Sequence, residues 1–268
     1  MLDHLIHDLC NIAYSYIPFH FDNIYELIDA ENITALKLFF NNHHNFNSYL
    51  SLPTDNYLLN YLYISNKKNY RDTCLANIIL LYSSQKNFHQ GIKFAIQCGV
   101  DVNIKDNMGQ TALSLASING YSDCVKLLLE HKADPNIPDH RKNTAIAWAA
   151  YNGRTKCVES LLEHKADPNI QNNIKNTALH SAYYYGYPDC VKLLLEHKAD
   201  LNIPDNDGQT VLILVVDNGY PDCVKLLLEY KADPNITDED GKTVLYWAFR
   251  NNPKFVKLLL EHKTHLNS

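Results

Sequence analysis

The sequence predicts an all-α solenoid of stacked helix–turn–helix units. The stretch VKLLLEHKADPN at 125–136 returns as VESLLEHKADPN at 158–169, VKLLLEHKADLN at 191–202 and VKLLLEYKADPN at 224–235. A shortened VKLLLEHKTHLN closes the chain from Val256. The first four copies are 33 residues apart, and self-similarity at such a period is the mark of stacked repeats. Each copy also carries Leu at helical spacing and ends in a polar corner, which is one amphipathic helix with its exit turn.

Taken in order, residues 1–20 form one expected helix stopped near Pro18. Residues 22–47 read as a helix pair, a degenerate capping repeat at the end of a stack. Residues 48–71 align with nothing else in the chain, with one helix expected over 57–64. Residues 1–71 are thus an N-terminal helical region, and 72–103 are a degenerate repeat ending in CGVDVN. The span from Thr73 to Asp101 exceeds its counterpart from Thr111 to Asp134 by five residues, either an insertion or helices cut differently. Five regular repeats fill 104–268, at about 106–138, 139–171, 172–204, 205–237 and 238–268. Their turn-rich starts are DNMGQT, DHRKNT, NNIKNT, DNDGQT and DEDGKT. The short helices that follow are TALSLASING, TAIAWAAYNG, TALHSAYYYG, TVLILVVDNG and TVLYWAFRNN.

The order D-x-x-G-x-T, T-x-L-x-x-A, Gly, V-x-x-L-L, A-D-x-N resembles the ankyrin repeat, a turn followed by two antiparallel helices. The overall flavour is similar to ankyrin arrays of obligate intracellular bacteria such as Rickettsia. Leu113, Ala116, Val125, Leu128 and Leu129 are expected to face neighbouring repeats, with Ala149 and Ala182 allowing close helix approach. Thr111 and its equivalents suit the helix N-cap, and Asp134, Asp167, Asp200 and Asp233 suit the turn after the second helix.

Four departures from the family pattern stand out. Ala112, Ala145, Ala178, Val211 and Val244 occupy the usual Pro position, which removes a preset helix start and breaks nothing. Lys142 and Lys175 replace the turn Gly; a side chain at positive φ costs about 1 kcal/mol, so whether those turns keep their shape is open. Lys132, Lys165, Lys198 and Lys231 replace the Gly that ends the second helix, where a cation favours the helix dipole. Asn252 stands where Gly120 stood in a repeat one residue short, and Asn is expected to keep the left-handed turn.

Composition excludes several functions. Residues 1–100 hold 6 basic and 8 acidic side chains and the remainder 18 and 22, so no basic block marks a nucleic-acid or membrane binder. No apolar run reaches membrane-span length, and Asp3 and Asp8 stand where a signal peptide wants positive charge. Seven Cys without CxxC, four of them on the 33-residue period, point to a reducing, cytoplasmic compartment and buried apolar packing. The periodic His131, His164 and His197 are expected to be solvated helix ends, His43-His44 lack a third ligand nearby, and Trp148 and Trp247 are expected in the core. Cys10 with His4 or His7 makes no recognisable catalytic pattern. No phosphate loop, nucleophile elbow or HExxH is present. No enzyme activity, cofactor or metal is expected.

The resemblance implies a monomeric scaffold that binds a protein partner through turn tips and first-helix faces, an effector or adaptor whose partner is unnamed. The positions it turns toward the groove are Met108, Ile118, His140, Arg141, Tyr151, Ile174, Tyr184, Tyr185, Asp207, Asp217, Glu239, Asp240 and Arg250. The competing expectation is an enzyme within residues 1–71 with the array as its targeting module.

Overall fold

The computed structural model describes residues 71–266. The expected N-terminal helices, the capping repeat at 22–47, Cys10 and His43-His44 lie outside the described residues. The chain divides into two compact units, 1–107 and 108–268. In the first, α1 (Arg71–Gln85) and α2 (His89–Gln97) pack on each other around Ile79, Leu80, Leu81 and Ile92, all fully buried. The extra residues of this degenerate repeat lie in its first helix, 15 residues long against 6 to 8 in the later repeats.

The second unit is a run of helix pairs: α3 (Ala112–Asn119) with α4 (Ser122–Glu130), α5 (Ala145–Tyr151) with α6 (Thr155–Glu163), and α7 (Ala178–Tyr183) with α8 (Pro188–Glu196). They continue as α9 (Val211–Asn218) with α10 (Pro221–Glu229), then α11 (Val244–Asn251), a 3-10 turn Pro253–Phe255 and α12 (Val256–Leu266). First helices pack on first helices, and α4, α6, α8 and α10 on one another. Helices of two turns cannot hold themselves in water; burial between repeats holds them. Ala116, Ala149 and Ala182 have no exposed surface, and Leu128, Leu161, Leu194 and Leu227 have none either. The expected contacts of Leu113, Val125 and Leu129 are likewise buried.

The ADPN corner has two jobs. Asp134 Oδ1 accepts from the Asn136 N–H at 2.9 Å, and Asp167, Asp200 and Asp233 do the same for Asn169, Asn202 and Asn235. Asn136 Oδ1 then accepts from the Asp167 N–H at 2.8 Å and Asn169 Oδ1 from the Asp200 N–H at 2.8 Å, tying each corner to the next repeat. The Asp fixes the turn locally, and the Asn carries the register across repeats.

The Lys substitutions are more demanding than the helix dipole alone suggests. Lys132, Lys165, Lys198 and Lys231 all sit at φ between 63° and 67°. They close the second helices in the manner usual for Gly: Ala133 N–H donates to Leu128 O and Lys132 N–H to Leu129 O, at 3.0 and 2.9 Å. Lys142 and Lys175 keep their turns as well, at φ 62° and 57°. Asn252 differs from expectation. It adopts φ −141° and ψ 71°, not the left-handed form, because Pro253 follows it and disfavours compact conformations before it. Its amide instead donates to Val216 O and Asp217 O at 2.9 and 2.7 Å.

The last repeat keeps the stacking face of its predecessors. Val216 has no exposed surface, while Phe249, 33 residues on, is 62% exposed. Tyr246 and Leu260 are opened in the same way relative to Ile213 and Leu228.

Two outcomes follow from these positions. Lys175→Gly is expected to raise the unfolding free energy by about 1 kcal/mol, read from urea midpoints, because it relieves a left-handed side chain; an unchanged or lowered midpoint contradicts this. Val216→Lys is expected to cost more than about 3 kcal/mol and Phe249→Lys within about 0.5 kcal/mol. Equal costs in the same assay would show that the end face is covered in solution.

Candidate functional site

The second to fifth regular repeats each start with a tip built around one side-chain oxygen. Asp139 Oδ1 accepts the N–H groups of Arg141 and Asn143, both at 2.8 Å. Asp205 does so for Asp207 and Gln209, Asp238 for Asp240 and Lys242, and Asn172 for Ile174 and Asn176. With the turn amides satisfied internally, the tip side chains are free to differ. Neighbouring tips are zipped by backbone bonds: His140 N–H to Met108 O at 3.1 Å, Asn173 N–H to Arg141 O at 3.0 Å and Glu239 N–H to Asp207 O at 3.1 Å. At Gly208 a Cβ would lie 2.7 Å from the Glu239 backbone nitrogen, so a side chain there would have to shift the next tip, although Lys142 holds the same place in the second tip.

The second oxygen of the turn carboxylate reaches the following helix. Trp148 Nε1 donates to Asp139 Oδ2 and Trp247 Nε1 to Asp238 Oδ2, each at 2.9 Å. Both indoles are therefore half-buried walls beside the tips, not the core residues their place in the repeat suggested. The reason is the indole N–H, which takes the available carboxylate.

Between the second and third regular repeats lies a cavity of about 390 Å³. Trp148, Tyr151 and Tyr184 line it together with Arg141, Asn143 and Ile174. Tyr151 and Tyr184 have ring centroids 5.6 Å apart, Trp148 stands edge-on to Tyr151 at 6.0 Å, and Tyr185 lies 5.5 Å from Tyr151. The neighbouring Tyr185 hydroxyl raises the Tyr151 pKa. Tyr184, Tyr185 and Ile174 are more than half exposed. Arg141, Tyr151, Ile174 and Tyr184 thus meet at one cavity, with Tyr185 against it and His140 exposed on the adjoining tip.

The remaining groove positions lie apart from this cavity. Met108 is exposed on the first tip, and Ile118 is half-buried with its carbonyl accepting from Arg154 Nε at 3.4 Å. Asp207, Glu239 and Asp240 are exposed on the fourth and fifth tips, and Asp217 accepts from the Asn251 amide. Lys242, 2.7 Å from Asp240, holds that carboxyl below its ordinary value and also lies over the rings of Tyr246 and Trp247; Arg250 covers Trp247. The tips change sign along the row: Asp139, Arg141 and Lys142 sum to +1, Lys175 gives +1, and the fourth and fifth tips are −2 each.

The model for three copies of the ankyrin repeat matches residues 31–139, 134–205 and 198–268. The chain is an ankyrin-repeat protein. No curated protein matches it at a significant level. Ankyrin repeats are generally protein–protein interaction modules, and the family is typically non-catalytic. No described helix is long and apolar enough to cross a membrane, and no described cluster of His, Cys, Asp and Glu forms a metal set. The periodic thiols of this ankyrin array are buried, and burial pushes Cys124 up to about 12 and Cys157 and Cys223 to about 11. The periodic His131 and His164 are exposed at helix ends, each with Nδ1 donating to the carbonyl four residues earlier at 2.8 Å.

One residue of the array escaped sequence reasoning. His180 in TALH is 1% exposed, and its Nδ1 accepts from the Thr177 N–H at 3.3 Å and lies 2.9 Å from the Thr177 hydroxyl. Nδ1 is then the acceptor and Nε2 carries the proton; Nε2 closes no hydrogen bond. The pairing of Thr with His three residues on, just as a helix begins, was the available signal. Burial pushes the His180 pKa down to about 4. The unfolded chain therefore binds this proton first. The stabilisation is complete above the ordinary value near 6.5 and is lost as pH falls toward about 4. Between pH 7.5 and 5 the wild type is expected to lose about 2 kcal/mol more stability than His180→Gln. Parallel pH dependences in urea unfolding contradict this.

Proposed function

We propose that this ankyrin array is a non-catalytic, monomeric scaffold that binds a protein partner through its tips and first-helix ends. The observation that carries this reading is the Trp148–Tyr151–Tyr184–Tyr185 cluster beside a cavity on adjacent repeats, with Tyr184 and Tyr185 more than half exposed. Aromatic and Arg side chains dominate binding energy at interface centres, and Tyr offers large contact area at low entropic cost. Asp207, Asp217, Glu239 and Asp240 make the C-terminal side acidic, relieved by Lys242 and Arg250. A partner with an apolar centre and a basic patch over the fourth and fifth repeats suits this surface. Buried thiols and the absence of CxxC support action in a reducing cytoplasm. The likeness in composition to arrays of intracellular bacteria supports an effector or adaptor delivered into a host cell.

The test is affinity capture with the wild-type chain and with a Tyr151→Ala, Tyr184→Ala double variant, followed by affinity measurement on the retained protein. The double variant is expected to weaken the complex by more than about 2 kcal/mol with a nearly unchanged melting temperature. Binding that persists, or a variant that unfolds, removes the groove as the recognition surface.

A further inference from the structure

The cavity between the second and third regular repeats has a chemistry of its own. Its aromatic side is apolar, but its rim is cationic. Arg141 lines it, is exposed and makes no ion pair or side-chain hydrogen bond among the described residues, and Lys142 and Lys175 follow the lining residues Arg141 and Ile174 in sequence and form no ion pair there either. The one carboxylate under this rim, Asp139, is occupied on both oxygens by Arg141 N–H, Asn143 N–H and the Trp148 indole. In the next repeat the equivalent residue is Asn172, which keeps the turn oxygen and removes the charge. Two neutral donors complete the rim. Asn143 Oδ1 accepts from Asn172 Nδ2 at 2.8 Å, which leaves the Asn143 NH2 unclaimed, and the Asn176 side-chain amide has no partner.

From this arrangement we infer that the cavity receives a carboxylate-bearing segment of the partner: an Asp or Glu beside an aromatic or branched aliphatic side chain. The inference rests on the groove reading above and adds what enters the groove. The apolar side chain packs against Tyr151 and Tyr184, in a volume of about 390 Å³ that suits one or two side chains. The carboxylate meets the unclaimed Arg141 fork, the geometry that guanidinium recognises best. The charge of the row sets the direction. Past this anionic group the segment is basic, because the next two tips are −2 each. A single-stranded nucleic acid would also find rings to stack on. Its phosphates, however, would run onto those acidic tips, where counterion release gains nothing.

The test is selection of a random peptide library displayed on phage against the intact chain, followed by titration calorimetry with the enriched peptides. Enriched peptides are expected to carry an acidic residue next to an aromatic or aliphatic one, with Lys or Arg toward one end. Changing the acid to its amide, or Arg141→Ala in the protein, each lowers affinity about tenfold. The two changes together cost no more than either alone, which identifies the pair; Arg141→Lys restores part of the affinity. An acid-to-amide change without effect, additive losses or no enrichment overturns the inference. So does Arg141-dependent binding of single-stranded oligothymidine. Peptides that lose binding with the Tyr151→Ala, Tyr184→Ala chain but not with Arg141→Ala leave the groove reading standing and remove the anionic segment. Peptides indifferent to both remove both readings.

Discussion

Everything in the described array depends on one constraint: a two-turn helix has only the next repeat to cover its apolar face. The Ala column at 116, 149 and 182 is fully enclosed because it is where the backbones of neighbouring first helices approach most closely. A larger side chain there would push the repeats apart and open the Leu contacts on either side. The framework positions therefore repeat almost unchanged, and difference between repeats gathers at the tips and first-helix ends.

The tips show how that confinement is achieved. One side-chain oxygen satisfies two turn amides, so a tip's shape does not depend on its remaining side chains. Asn172 demonstrates the economy of the device, keeping the oxygen while losing the charge. Charge thus varies along the row without altering the turn, and the row changes sign between the third and fourth repeats. The same carboxylate aims Trp148, because its second oxygen takes the indole proton and turns the ring toward the cavity. Recognition chemistry and turn geometry share a residue.

Strain is distributed along the other edge. Four Lys residues hold the left-handed conformation that ends the second helices, and two more hold it at the tips. Each costs about 1–2 kcal/mol relative to Gly before the unfolded chain is considered. Six such residues persist because the helix-closing hydrogen bonds and the stack around them leave no alternative path. The array is stable by its stacking and in spite of these corners.

The sequence alone determined the period, the pairing of helices and the turn Asp, because each of these is local and is written within one repeat; of the expected Thr caps, Thr111 accepts from the Ser114 N–H, whereas Thr144, Thr210 and Thr243 start their helices without a side-chain cap bond. Leu spacing placed the helices closely, as the match between TALSLASING and Ala112–Asn119 shows. What it did not determine involves residues from different repeats or a choice between partners. Trp148 had a core position by spacing; an oxygen nine residues earlier decided otherwise. Asn252 had the side chain for a left-handed turn; the following Pro and two carbonyls of the preceding repeat decided against it. Phe249 repeats a buried column, yet it is exposed because no further described repeat covers it. The cavity itself exists because side chains 33 residues apart, Tyr151 and Tyr184, come to 5.6 Å once the repeats stack. Periodicity fixes which residues recur, whereas stacking fixes which of them meet.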